Sequence, residues 1–338
     1  MARKGGWTRK GSKGRFRYLD SRGNEITDEA VLARIEALVI PPAWKEVWIS
    51  PRPTADLQAT GLDRAGRRQY VYHPDFRARQ EEEKYARLVD FAERLPTLRR
   101  AMAAHMELDP LHPDRVCAVA ARLIDQTWFR PGSERSARES NTYGVTTLTK
   151  RHVAVRGKRV SFSFNGKHSV RVRTALLDAE LAGAIRELCS VNHGARVFRY
   201  EREGELYNLT SRQLNAYVQE HMGEEFTAKD FRTWGGTLTA AIGFAERGPV
   251  ESEAEAKRSV AAVMRRVAER LGNTPAVCRS SYVAPTVIDQ YLDGTTIADF
   301  RPRHLRVVSA RDIDLDLEER AVLELLRSTR KRELRRAA

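Results

Sequence analysis

Cysteine is scarce in this chain of 338 residues: Cys117, Cys189 and Cys278 lie far apart and are odd in number. That spacing gives no disulfide framework and points to a reducing compartment. There is no CxxC pair and no HExxH stretch, so no zinc site is expected, and the eight histidines are dispersed. No GxxxxGK[ST] loop occurs, so nothing signals ATP use. No apolar run is long enough to span a membrane. The basic N-terminus has no apolar stretch behind it, so a secretory signal is not expected either. The expectation is a chain without metal or cofactor, working in the cytoplasm.

Positive charge is abundant. The formal net charge is +14 and the isoelectric point about 9.9. Such a surface attracts polyanions, nucleic acid first among them. Residues 1–17 hold seven Lys or Arg and no acid. With several glycines among them, they read as a flexible basic arm, suited either to phosphate contact or to solubility alone. Hydrophobic residues make up 41% of the chain, enough to build the cores of two domains.

Periodicity divides the chain in two. "RFRYLDSRGNEIT" reads as a hairpin turning at Arg22-Gly23-Asn24, and Glu29 to Leu38 as a short amphipathic helix before Pro41-Pro42. "WKEVWISP" and "RRQYVYHP" alternate as strands, with a turn at "DRAGR". Beyond residue 78 the spacing turns helical, through Tyr85, Leu88, Val89 and Leu95, then over about 114–128 until "WFRPGSE". "RHVAVRGKRVSFSFNGKHSVRVR" is a three-stranded meander, with Asn165-Gly166 as a tight-turn signal and Lys167 at the second tip. Helices return after Asp178. Thr210 with Gln213 and Thr227 with Asp230 have the spacing of capping boxes. Ser252 opens a helix that Gly272 stops, and Thr274-Pro275 opens the next. A short helix near Val287–Leu292 follows, then an acidic helix near 316–327 and a basic end. The fold class is α+β: a small β-rich domain over 1–78 and a larger, mainly α-helical domain over 79–338 with one small antiparallel sheet.

Five polar residues occupy special local settings. Arg130 lies where a helix breaks into a Pro-Gly turn, and Lys167 at a hairpin tip. Arg232 lies in the first turns of a capped helix beside Gly235-Gly236, where another backbone can approach closely. Asn273 follows a helix-ending glycine, nine residues before Tyr282. Singly, each has a plain structural explanation: an ion-paired surface arginine, a solvated lysine, a turn asparagine, a core tyrosine. Together they match one chemistry. A tyrosine attacking a phosphodiester has a phenol pKa of about 10 and needs a positive field to favour the phenolate. Two arginine forks suit the anionic oxygens of a pentacoordinate phosphate. A lysine whose pKa is lowered by neighbouring arginines can protonate the leaving sugar oxygen, and an asparagine amide can add a neutral hydrogen bond.

The order Arg130, Lys167, Arg232, Asn273, Tyr282 resembles that of the type IB DNA topoisomerases of bacteria and poxviruses. "KDFRTWGGT" and "NTPAVCRSSYVAP" carry the most specific likeness. "WFRPGSERSARESNTYGVTTL", "SFNGK", "IPPAWKEVWISP" and "LQATGLDRAGRRQYVYHP" extend it over nearly the whole chain. The resemblance implies that Tyr282 attacks DNA to form a 3′-phosphotyrosyl link, that Arg130 and Arg232 stabilise the transition state, and that Lys167 protonates the departing 5′ oxygen. Asn273 stands where poxvirus and nuclear enzymes have histidine, so no imidazolium acts there. The partner implied is double-stranded DNA, clamped by a monomer whose N-terminal domain closes over the major groove, with Gln69, Tyr70 and Tyr72 facing it. A bacterial nucleoid setting follows. Relaxation by cleavage, strand rotation and resealing then needs no ATP.

Two other functions fit parts of the pattern. A tyrosine recombinase uses similar chemistry, but that family typically has HxxR where this chain has Lys229-Asp230-Phe231-Arg232, and a helical core-binding domain where this chain has a small N-terminal β-domain. A non-catalytic basic DNA-binding protein fits the charge and leaves the ordered polar residues unexplained.

Overall fold

A computed structural model describes residues 5–12, 14–300 and 313–337. Its contacts divide the chain into two units, Met1–Tyr85 and Ala86–Ala338, and the architecture is α+β. The first unit opens with a departure from expectation. Residues that read as a flexible arm form β1 (Trp7–Lys10), which lies inside a five-stranded antiparallel sheet. The reason is its alternation: Trp7 packs on the small core, while the Arg9 guanidinium donates to the carbonyls of Ile40, Pro41 and Trp44 at 3.2, 3.0 and 2.9 Å. Residues 1–4 and Lys13 of the expected arm lie outside the described residues.

β2 (Arg17–Leu19) pairs with β1. The turn after it stands where expected, because the Asp20 carboxylate accepts from the backbone N–H of Arg22 and Asn24. α1 (Glu29–Ala37) is capped by Asp28. β3 (Lys45–Ile49), β4 (Leu57–Leu62) and β5 (Arg68–Tyr72) complete the sheet in the order β2-β1-β3-β4-β5. Ile35, Val47, Ile49 and Ala59 form its core.

α2 (Pro74–His105) leads from one unit into the other, and α3 (Pro113–Thr127) and α4 (Glu134–Ser140) follow. α2 continues through Pro96, because Leu95 and Leu98 are fully buried beside it and outweigh the lost backbone donor. β6 (Val153–Arg156), β7 (Arg159–Asn165) and β8 (Arg171–Leu177) make the expected meander. After α5 (Ala179–Val191) the chain forms an unexpected hairpin, β9 (Arg199–Arg202) with β10 (Glu205–Asn208). The remaining helices are α6 (Ser211–Met222), α7 (Asp230–Arg247), α8 (Glu253–Leu271), α9 (Pro275–Ser281), α10 (Pro285–Leu292) and α11 (Leu317–Ala337). α11 outruns the acidic stretch and takes in the segment read as a basic end.

A buried ion cluster gathers α2, α3, α7 and α11. Arg99 donates at 2.8 Å to both Asp125 and Glu319, and the Trp234 indole N–H reaches Glu319 at 3.3 Å. Every charge in it has a partner, which is the condition for burying such groups. It anchors α7 at Trp234, two residues past Arg232.

Candidate active site

α3 ends at Trp128, which takes the left-handed conformation at φ 56°. A bulky residue in that region costs about 1–3 kcal/mol, so its surroundings must hold it. The chain then leaves through Phe129, Arg130 and the Pro-Gly turn. The Arg130 carbonyl accepts from Val145 at 2.9 Å and the Pro131 carbonyl from Thr146 at 2.8 Å. This crossing needs Gly144, since a Cβ there would stand 2.4 Å from the Arg130 oxygen.

The meander is fixed to the same loop. Phe129 packs edge-on against Phe162 and Phe164, and the Tyr143 N–H donates to the Asn165 carbonyl at 2.7 Å. Lys167 is exposed at the tip beyond Asn165. The turn differs from the tight Asn-Gly form expected. Gly166 has φ −84°, and the left-handed residues are His168 and Ser169, so the loop spans 166–170 between the paired Asn165 and Arg171. The longer loop places Lys167 two residues beyond the last paired residue, Asn165.

α7 carries Arg232. Thr227 donates its N–H and hydroxyl to Asp230 at 2.8 and 2.9 Å, organising the helix start. Arg232 is only 3% exposed. Its guanidinium donates to the carbonyls of Trp128 at 2.5 Å and Leu271 at 2.9 Å, and lies 5.0 Å from the centre of the Tyr282 ring. Burial and then the nearby charge of Arg130 push its pKa down to about 10. It stays a cation at neutral pH, with its Nε buried and unpartnered among the described residues.

α8 and α9 bring the other two groups. Gly272 ends α8 at φ 60°, and the Asn273 that follows accepts from Arg130 at 2.6 Å through Oδ1. Thr274 caps α9, Pro275 starts it, and Tyr282 ends it. The expected close approach occurs at Gly236, where a Cβ would lie 2.4 Å from the Tyr282 carbonyl. Thr237 continues the seam by accepting from the Ala284 N–H at 3.1 Å. Burial raises the pKa of the Tyr282 phenol, but the charge of Arg232 and a hydrogen bond from it, then the charges of Arg130 and Lys229, outweigh it, and the net shift is downward.

Arg130, Lys167 and Arg232 line one cleft of about 130 Å³, together with Tyr143, Arg171 and Arg173. That is below the usual span of cofactor pockets and suits a single backbone group of a larger ligand. Asn273 joins it through Arg130, and Tyr282 through Arg232. The five sequence-selected residues thus meet in one place. Sequence reasoning passed over Trp128 and Tyr143, whose only local signal was their closeness to Arg130 and to the Gly144 crossing. Among the described residues, no group of three or more His, Cys, Asp or Glu stands together as a metal site, and no helix is long and apolar enough to cross a membrane.

The three residues singled out in the first unit lie on β5. Tyr70 is 47% exposed and stacks on Tyr72 with ring centres 6.0 Å apart, and Tyr72 stacks on Phe76 at 5.1 Å. Val71, on the other face, packs on the small core instead. Gln69 alternates with the tyrosines and donates its amide to Asp63 at 2.9 Å.

Residues 73–299 match the family profile described as "Eukaryotic DNA topoisomerase I, catalytic core", and residues 15–63 match "Bacterial DNA topoisomerase IB, N-terminal domain". The chain is 32% identical to DNA topoisomerase 1B of Acanthamoeba polyphaga mimivirus over 289 residues, covering 83% of this chain and 85% of the viral protein. It is 22% identical to DNA topoisomerase I of Monkeypox virus over 69% of this chain and 72% of that protein. A shorter stretch, 45% of this chain and 19% of the relative, is 31% identical to DNA topoisomerase 1 of Candidozyma auris. With its catalytic core and its N-terminal domain both matched, the chain belongs to the type IB DNA topoisomerase family.

Proposed function

We propose that the protein relaxes supercoiled double-stranded DNA by transient cleavage of one strand through Tyr282. The Tyr282 phenol releases its proton to solvent, and the phenolate oxygen, favoured by the neighbouring arginines, attacks the scissile phosphorus and forms a P–O bond. The P–O5′ bond breaks, and the 5′ oxygen takes a proton from Lys167. Arg130 and Arg232 hold the non-bridging oxygens, whose charge grows in the transition state. Asn273 orients Arg130 through its Oδ1, and its buried, unpartnered Nδ2 is available to a phosphate oxygen. The freed strand rotates, and the 5′ hydroxyl then attacks the phosphotyrosine in the reverse step. The covalent link preserves the energy of the broken diester, so resealing requires no nucleotide. Three side-chain cations supply the charge that metals supply in other phosphoryl-transfer sites.

The protein acts as a monomer on nucleoid DNA in this reading. The stacked Tyr70 and Tyr72 meet the duplex through the first unit, and Gln69, next to Tyr70 on β5, contacts it from the strand's start. The observation that carries the proposal is the pairing of Tyr282 with a buried arginine 5.0 Å from its ring. A phenol so placed has its anion favoured, which a packing role does not require.

Tyr282→Phe removes one oxygen and little packing. Incubated with end-labelled duplex and stopped with detergent, wild type will carry covalent label and the variant none. The variant will still bind DNA and will not relax plasmid, whereas wild type relaxes it without Mg²⁺ or ATP. Label retained on Tyr282→Phe would overturn the assignment.

A further inference from the structure

Trp128 occupies a backbone position that favours glycine, at φ 56° and ψ 28°. What holds an indole there is contact from two helices. The ring lies against α7, where a Cβ on Gly235 would come within 2.1 Å of it. The Arg270 guanidinium in the last turn of α8 lies over the ring, 5.0 Å from its centre. The same residue's carbonyl accepts from Arg232 at 2.5 Å, one helical turn before Gly235. Leu271, next to Arg270, takes the other end of that guanidinium at 2.9 Å. Two residues past Trp128 stands Arg130, which returns to the end of α8 by its bond to Asn273 at 2.6 Å.

These contacts form a closed circuit of the end of α3, the start of α7 and the end of α8, and the indole is the wedge between them. We propose that Trp128 is a positioning residue for DNA cleavage: its ring sets the spacing of the three elements, and its carbonyl aims the Arg232 guanidinium at the scissile phosphate. The inference rests on the phosphate-gripping role of Arg232 and Arg130 given above. The mechanism explains why it matters. The Arg232 donors bonded to Trp128 and Leu271 are fixed by protein, and the direction left to Nε follows from them. A displacement of about 1 Å at such a group costs about 10²-fold in rate. The strained backbone belongs to the same logic, since strain of this kind is kept where the surroundings over-determine a site.

The test is single-turnover cleavage of a labelled duplex at saturating protein, with DNA affinity and thermal midpoint measured beside it. Trp128→Ala should lower the cleavage rate about 10- to 100-fold while DNA affinity stays within about twofold, and Trp128→Phe should recover part of the loss. Gly235→Ala should be impaired to a similar degree, because its methyl group collides with the ring. Adding Trp128→Ala to Gly235→Ala removes the collision, so the two losses should not multiply and the double variant should cleave within about threefold of Trp128→Ala alone. In an Arg232→Ala background, followed over hours, Trp128→Ala should cost no more than about threefold, because the group it aims is gone.

A merely structural tryptophan gives another pattern: a lowered thermal midpoint, cleavage within about threefold of wild type once folded, and a cost that multiplies undiminished in the Arg232→Ala background. Either of the last two results, or a Trp128→Ala/Gly235→Ala double variant about 10-fold or more slower than Trp128→Ala alone, overturns the inference. Covalent label surviving in Tyr282→Phe would instead overturn the cleavage mechanism. Label lost there while Trp128→Ala cleaves normally overturns only the role of Trp128.

Discussion

Arg232 and Lys167 are both cations of one cleft, and the protein holds them in opposite ways. Arg232 is 3% exposed, bonded to two backbone carbonyls and laid beside the Tyr282 ring. Lys167 is exposed at a hairpin tip, and its ammonium makes no hydrogen bond or ion pair with the described residues. The difference fits the two tasks proposed for them. A group that stabilises charge on phosphorus gains from being fixed before reaction, in a site where water cannot screen it. A group that delivers a proton to a departing oxygen needs reach, and a four-carbon stem on a loop supplies it.

The comparison is broken most sharply by changing the leaving atom. Lys167→Ala should slow cleavage of a natural strand by about 10²–10⁴-fold. A 5′-sulfur leaving group needs little protonation, so the same variant should cleave the 5′-thio strand almost as well as wild type does. Equal slowing on both strands would mean that Lys167 holds DNA rather than giving a proton.

Arg232→Lys should fail in the complementary way. It keeps the charge but loses the planar fork that reaches Trp128 and Leu271 together. A loss of about 10²–10³-fold is expected, equal on oxygen and sulfur strands, because the defect lies at phosphorus. Lys167→Arg, whose guanidinium keeps its proton, should be slow on the oxygen strand and near wild type on the sulfur strand, whereas Arg232→Lys is slow on both. Wild-type rates for Arg232→Lys in single-turnover assays would show that the planar fork is not what makes Arg232 effective.

The same contrast explains what could be read from the sequence. Arg232, Asn273 and Tyr282 lie next to strong local signals: the Thr227–Asp230 pair, the stop at Gly272 and the Thr274-Pro275 start. Each is decided within four or five residues, and each stands where the pattern put it. The tip around Lys167 was legible only in position. Its turn is set by the longer 166–170 loop between paired strands, and the Asn-Gly signal is overruled. β1 was missed because its basic residues look solvated, yet Arg9 is satisfied by carbonyls more than 30 positions away. β9 and β10 were missed because "RYEREGELYN" is charged throughout and alternates weakly. Trp128 was invisible for a related reason. Its partners, Gly235 and Arg270, come from distant segments, and no local pattern reports such a contact.

The smallest expected effect tests how the two arginines share the tyrosine. Burial raises the Tyr282 phenol, and Arg232 first, then Arg130, outweigh it. In the proposed mechanism the phenolate attacks, so the cleavage rate should rise with pH and level off below the ordinary phenol value of about 10. Arg130→Ala removes one lowering charge and should move that limb to higher pH. Arg232→Ala should move it further, because its charge is the nearer and larger influence. Arg130→Lys keeps a positive charge at the site, so its limb should stay close to that of wild type even if its plateau rate falls. These are shifts in the profile of single-turnover rate against pH, separable from the plateau, and a general structural defect would lower the plateau without moving the limb. A limb unmoved in both alanine variants would mean that the arginines act on the phosphate alone, and that the phenol loses its proton to another group.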